Sequence, residues 1–136
     1  MSTRDDCIFC AIASGSGPAQ LIAENDHAVA FLDIAPATRG HTLVIPKEHS
    51  DNLLEIDPTD LAHVVRLAQE IARKMPGALG ADGVNLLNSC GSAAWQTVFH
   101  THVHVIPRYV GDPLKLPWRE GEVNTDGLTE VAELLR

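Results

Sequence analysis

The sequence predicts an α+β fold built on a mostly antiparallel sheet. Three observations lead there. Apolar, β-branched runs come as a group of three and a group of two, not in alternation with helices. One long stretch between the groups carries apolar residues at three- and four-residue steps. No GxGxxG or Walker-type glycine pattern occurs, so a doubly wound nucleotide fold and an organic cofactor are not expected. A length of 136 residues suits one domain spanning 1–136. Residues 1–6 are expected to be disordered, and 119–136 to form a C-terminal tail with a short helix.

Ile8 to Ala13 has the makings of a short helix or turn, and Ser14-Gly15-Ser16-Gly17-Pro18 is a loop by its turn chemistry. Strands follow at Leu21 to Ala23, Ala28 to Leu32 and Thr42 to Ile45, with a hairpin turn at Asn25-Asp26. Pro46 stops the third, because it has no N–H for a ladder. Asp57 as N-cap and Pro58 at the first helical position then open a helix. Leu61, Val64, Val65, Ala68, Ile71, Ala72 and Met75 give it one apolar face over about 18 residues, and Pro76-Gly77 is expected to end it. His63 lies beside that face as a partly exposed residue with no chemical role. Val84 to Leu87 and Val98 to Ile106 are the last two strands, and Leu128, Val131, Ala132 and Leu135 mark the C-terminal helix.

The chain carries 10 Lys plus Arg against 18 Asp plus Glu, a net charge of −8. Such a balance disfavours binding to long nucleic acid or to an anionic membrane, both of which need clustered cations. Apolar residues make up 45%, so wholesale disorder is not expected. No apolar run reaches the roughly 20 residues that cross a bilayer, and Met1 to Asp6 lack a signal-peptide hydrophobic region. A cytoplasmic protein is expected. Three cysteines, Cys7, Cys10 and Cys90, do not suit a disulfide framework. Cys7-Ile8-Phe9-Cys10 is a CxxC that reads as a metal half-site, a redox pair, or two small buried residues.

The densest chemistry lies at His100, His102 and His104, interleaved with Thr101, Val103 and Val105. On a strand all three imidazoles would share one face, with about 7 Å between adjacent Cα atoms. Imidazole is neutral and nucleophilic near pH 7, and a neighbour can stabilise developing charge. Phosphoryl or nucleotidyl transfer is the natural use of such a row.

His100-Thr101-His102-Val103-His104-Val105 resembles the histidine triad, HxHxHxx with apolar residues between. Gln96-Thr97-Val98-Phe99, Phe31-Leu32-Asp33-Ile34, Gly40-His41-Thr42-Leu43-Val44-Ile45-Pro46-Lys47 and the N-terminal CxxC fit the same family in order and spacing, over residues 7 to about 118. The chain is identified as similar to the histidine triad (HIT) superfamily, and most to its nucleotide-binding Hint-like branch. The resemblance implies a five-stranded antiparallel sheet with one long helix and a short N-terminal helix. It also implies a homodimer with a continuous ten-stranded sheet, for which an exposed sheet edge would be suited.

By the same resemblance, His102 is the nucleophile that attacks an α-phosphate, and a nucleotidyl-histidine intermediate is then hydrolysed. His104 touches phosphate oxygens or the leaving group, His41 orients the row, and His100 completes the catalytic set. Asn88, Gln96 and Thr97 match positions that donate hydrogen bonds to phosphate. Asp33 would take the ribose hydroxyls with Ile34 packed nearby, and Ile8, Phe9, Phe31 and Leu43 would form the base slot. Each of these four is also credible as core, Phe9 and Leu43 equally so. Trp118 matches a C-terminal tryptophan near the site, and Arg108 and Lys115 are candidate local cations. His49 and His100 would join Cys7 and Cys10 around a structural zinc ion, a standard closed Cys2His2 set. The chain departs from the family pattern at Trp95, where many members have glycine, and at Gly17, where the family has an apolar residue walling the slot.

The function implied is hydrolysis or nucleotidyl transfer at the α-phosphate of a purine nucleotide conjugate, of the AMP phosphoramidate type. A dinucleoside polyphosphate hydrolase and a nucleotide-binding partner without turnover are the alternatives.

Overall fold

The computed structural model describes residues 4–122 and 124–136. The elements are α1 (Ile8–Ala13), β1 (Leu21–Glu24), β2 (Ala28–Leu32), β3 (Thr42–Pro46), α2 (Pro58–Leu79), β4 (Gly83–Leu87), β5 (Val103–Arg108) and α3 (Thr125–Leu135), with a 3-10 turn at Ser92–Ala94. The five strands form one open sheet in the order β1-β2-β3-β5-β4, every pair antiparallel. Of the segment expected to be disordered, residues 1–3 lie outside the described residues. Arg4 is held at 3.4 Å from Asp51, and its carbonyl accepts the Cys7 N–H.

Alternation along β2, β3 and β5 divides the core between the two sheet faces. Ala28, Ala30, Val44, Val103 and Val105 meet Val64, Leu67, Ala68, Ile71 and Met75 of α2. Val29, Phe31, Leu43 and Ile45 point the other way and pack with Phe9 of α1. The β2–β3 register is unbroken from Ala28↔Pro46 to Leu32↔Thr42. The turn joining β1 to β2 is closed by Asn25, whose Oδ1 accepts the N–H groups of His27 and Ala28.

The structure corrects three expectations. First, α2 does not stop at Pro76-Gly77 but runs to Leu79, where Gly80 takes a left-handed φ of 72° and donates its N–H to the carbonyls of the last turn. Proline removes a donor one turn back but leaves its own carbonyl free to receive the Gly80 N–H. Second, the buried face of α2 includes Leu67, while Val65 stays half-exposed.

Third, the last strand begins at Val103, not Val98. Polar groups of 98–102 are engaged elsewhere. The Thr101 N–H goes to the Ser50 carbonyl, and the carbonyls of Val98 and His102 accept side-chain amides from Gln96 and Asn88. The triad therefore does not lie on one strand, and only His104 is placed by strand alternation.

Leu67, 1% exposed against the sheet, is expected to lose about 3 kcal/mol of unfolding free energy on substitution by alanine. Val65→Ala should cost less than about 1 kcal/mol. Urea unfolding of both variants checks this, and equal losses would contradict the packing.

Candidate active site

The irregular segment before β5 turns each imidazole to a different task. His102 sits with Nδ1 at 2.7 Å from the His100 carbonyl. A carbonyl only accepts, so Nδ1 carries the proton and Nε2 keeps its lone pair. Burial lowers the His102 pKa, with smaller opposing contributions from that carbonyl and from Asp33, so the neutral ring is the resting form. Phe9 sets its ring against His102 nearly edge to face, centroids 5.2 Å apart. The Asn88 Nδ2 donates to the His102 carbonyl at 2.9 Å and so holds the main chain there.

A second tautomer is fixed by a chain of hydrogen bonds. The Ala37 N–H donates to His41 Nδ1 at 2.9 Å, so the proton of neutral His41 is on Nε2. That proton is donated to His104 Nδ1 at 2.8 Å, which leaves His104 Nε2–H as a free donor. Asp33 Oδ2 lies 3.5 Å from His41 Nε2, and its Oδ1 accepts the Ala35 N–H. Burial is the main cause that lowers the His41 pKa and takes that of His104 to about 4. Asp33, His41 and His104 lie close enough to suggest a metal site. The Ala37 N–H argues against it, since His41 would have to bind metal through Nε2 as an imidazolate. Gly40 positions His41 for this role: its φ is 94°, and a Cβ there would collide with Leu79.

His102 and His104 both line a cavity of about 530 Å3, within the usual range for a small-molecule site. Its walls are apolar: Phe9, Phe31, Leu43 and Val98 lie within, with Ile8 and the almost fully exposed Ile34 at the mouth. Asp33 and Thr97 supply further polar groups. Among the described residues no Lys or Arg lines it. Phe9, Phe31 and Leu43 thus belong at once to the core cluster and to the cavity wall. Gly17 also lines it and approaches α1 closely, its N–H bonded to the Ala11 carbonyl. A Cβ at Gly17 would lie 3.0 Å from the Ile12 nitrogen.

His100 faces away from this cavity. Its ring is fully buried, with Nε2 at 2.9 Å from the Pro46 carbonyl. Nδ1 is therefore the lone pair, and it points at Cys7 Sγ (3.4 Å) and Cys10 Sγ (3.5 Å). His49 mirrors it: Nε2 donates to Asp51 Oδ1 at 2.7 Å, and Nδ1 lies 3.3 Å from Cys10 Sγ. Tetrahedral coordination by sulfur and nitrogen demands ligand–ligand edges of about 3.5 Å. The three sulfur–nitrogen edges at 3.3, 3.4 and 3.5 Å meet that demand, and all four atoms lie within 4.8 Å of one another. Burial raises the Cys10 thiol above its ordinary pKa, a shift that a bound cation would reverse. His100, expected both in the catalytic row and as a zinc ligand, does not line the cavity, and its ring lies in the four-residue cluster.

Other expected site residues stand elsewhere. Gln96 has no free donor for phosphate, because Nε2 serves the carbonyls of Asp51 (2.7 Å) and Val98 (3.0 Å), while Oε1 accepts the Gly91 N–H (2.7 Å). Asn88 is absent from the cavity wall and is tied to the His102 carbonyl. Its Oδ1 is buried without a protein partner among the described residues. Trp118 stacks on Trp95, centroids 6.4 Å apart, and neither lines the cavity. Trp95 has a φ of 74°, which explains why glycine suits this position. Arg108 is held by Asp112 and Asn85, and neither it nor Lys115 borders the cavity. His63 stacks on His27, which pairs with Asp60, remote from the chemistry.

Sequence reasoning missed Asp51, the carboxylate behind His49. The signal was available, since a metal-binding histidine commonly donates its second N–H to a carboxylate, and Asp51 lies two residues away. It also missed the Ala37 N–H, which no side-chain pattern reveals.

The HIT domain family matches residues 14–111. An uncharacterized HIT-like protein of Methanocaldococcus jannaschii is 39% identical over 130 residues, 96% of this chain and 98% of that protein. A Zn-bound histidine triad family protein from Mycobacterium smegmatis has a crystal structure that superposes with a TM-score of 0.78 at 44% identity, covering 95% of each chain. The histidine triad nucleotide-binding protein from Candida albicans gives a TM-score of 0.84 at 29% identity, over 96% of this chain and 94% of that one. With the domain match over most of its length and these relatives alongside the bare His102 nitrogen and its cavity, the chain belongs to the HIT domain family.

Proposed function

We propose that the protein binds a purine nucleotide conjugate and cleaves it at the α-phosphate, through a nucleotidyl intermediate on His102. The observation that carries this reading is the free Nε2 of His102 in a cavity of nucleotide size, its tautomer held by the His100 carbonyl. The nucleotide-binding relative from Candida albicans supports the ligand class.

The chemistry balances as follows. His102 Nε2 gives its lone pair to the α-phosphorus, and the bond from phosphorus to the leaving amine breaks. The amine keeps that electron pair and takes a proton from solvent at the open mouth. The ring now bears a positive charge, which the His100 carbonyl stabilises through Nδ1–H. Water then attacks phosphorus, the N–P bond returns its pair to Nε2, and one proton leaves to solvent. The products are a nucleoside monophosphate and the free amine. His104 Nε2–H and the Thr97 hydroxyl are the donors for phosphate oxygens, suited to a site without a cationic side chain. Asp33 accepts from the ribose diol, and the apolar walls take the base.

Cys7, Cys10, His49 and His100 would hold a zinc ion, as the zinc-bound relative from Mycobacterium smegmatis also suggests. Such an ion would supply a cross-link between α1 and the sheet. Pairing of two chains along the exposed β4 edge, where Leu86 and Leu87 stand partly in solvent, is the assembly this reading favours. No helix among the described residues is long and apolar enough to cross a membrane.

His102→Asn should cut turnover of an AMP–amine conjugate at least about 1,000-fold while AMP still binds; calorimetry with steady-state kinetics checks this, and undiminished turnover would reject the nucleophile. A strong preference for diadenosine polyphosphate over the amine conjugate would reassign the leaving group. Cys10→Ala should lose the zinc that the unaltered protein carries, as read by elemental analysis, and full retention would count against the ligand set. The neutral relay adds a pH dependence. His104 is held at about 4 against an unfolded value near 6.5, so its contribution to stability is complete above about pH 6.5 and fades as pH falls toward 4. Melting temperatures at pH 7 and 4.5 should therefore fall further for the unaltered protein than for His104→Asn. Equal falls would contradict a buried neutral His104.

A further inference from the structure

We propose that the Cys7–Cys10–His49–His100 centre arms the nucleophile: a metal held there fixes the His100 main chain, whose carbonyl holds the His102 ring with Nε2 bare, so that losing the metal disarms His102 without emptying the nucleotide pocket. The inference rests on the reading of His102 as nucleophile.

His100 links the metal cluster to the nucleophile. Its ring Nδ1 is one of the four ligand atoms, and its carbonyl is the acceptor for His102 Nδ1–H at 2.7 Å. One residue, Thr101, separates the two histidines. With a metal on Nδ1 and the Pro46 carbonyl on Nε2–H, the His100 ring is held at both nitrogens. Without the metal, Nδ1 faces only two thiols at 3.4 and 3.5 Å, and S–H is a weak donor. The ring, and the carbonyl two bonds beyond its Cα, then gain freedom. So does His102, because its ring orientation depends on that one short hydrogen bond. In the other tautomer the proton would sit on Nε2 and the ring could not attack.

A second link runs through the outer carboxylate. Asp51 takes the His49 Nε2–H on its side chain, and its carbonyl takes the Gln96 Nε2–H at 2.7 Å. Gln96 in turn accepts the Gly91 N–H, closing the 91–96 turn just ahead of Thr97. The metal centre thereby braces the stretch leading into His102 at two points, Gln96 and His100. The sheet wall of the pocket is braced differently: Phe31 and Leu43 sit on β2 and β3 beside Val29 and Ile45, and Phe9 packs on that cluster with its ring against Phe31. A separate cavity of about 320 Å3, lined by Cys7 and His49, opens on the metal side, so two of the four ligands are approached from outside the nucleotide cavity.

The test strips the full chain with a zinc chelator, then reloads it with Zn2+ or Cd2+. Three quantities are followed: the tautomer of His102 from ring 15N spectra, AMP affinity, and kcat and KM for an AMP–amine conjugate. Removal of the metal should mix the His102 tautomers and lower kcat by on the order of 10- to 100-fold, with AMP affinity and KM within about threefold, and reloading should restore both. Unchanged tautomer and kcat in metal-free protein would overturn the proposal. So would a proportional loss of kcat and AMP affinity, since that would make the metal a general brace. Should the stripped chain unfold, His100→Cys and His100→Ala decide. Cysteine keeps a metal ligand at the same Cα, so His100→Cys should recover metal, His102 tautomer and turnover relative to His100→Ala. Equal defects in the two variants would reject the coupling. If the loaded protein cleaves no conjugate at all, the functional reading fails, while the His102 spectra still report on the coupling.

Discussion

A single hydrogen bond, 2.7 Å from His102 Nδ1 to the His100 carbonyl, decides what this site can do. It selects one of two neutral tautomers that differ little in free solution, and it does so without any charged group. The cost is a break in the sheet. The His100 carbonyl is turned to the ring two residues on, and the regular ladder begins only at Val103. The remaining backbone groups of the broken stretch are then met by Ser50, Asn88 and Gln96. These are side chains and loops brought from three separate regions. The long helix, the five-strand order and the loop after β3 act together to deliver them.

Much of the fold was legible because it follows from patterns that sequence displays directly. Apolar runs with β-branched content marked β2 and β3 to within one residue, and a capping aspartate followed by proline marked where α2 begins. What could not be read depended on partners distant in sequence. The helix runs past Pro76 because Gly80, four residues on, can adopt a left-handed turn and return its N–H. Strand five is shorter than its β-branched content suggests because the segment ahead of it bonds to partners that the local pattern does not advertise, among them Ser50, whose carbonyl takes the Thr101 N–H. Strand order, with β5 between β3 and β4, is likewise a tertiary outcome.

The candidate site divides along the same line. Which residues carry chemistry was evident from the histidine spacing and the CxxC. Their division of labour was not. His100 and His102 are two apart, yet one ring lies in the Cys/His cluster and the other lines the cavity, with Phe9 at a steep angle to both. Gln96 and Asn88 resemble ligand donors by type, yet their amide groups are needed by the main chain that holds the histidines. A polar residue at a site is as often consumed in building it as left over for the ligand. Only the hydrogen-bond count separates the two.

The close approach of Gly17 to α1 limits how the cavity could be remodelled. Adding a side chain at that point would press on the helix backbone at Ile12, displacing the element that carries Phe9, before it could narrow the slot. Width at this wall is thus set by main chain, not by side-chain choice. Changes of cavity shape that leave the scaffold undisturbed are open at the solvent-facing rim, at Ile8 and Ile34.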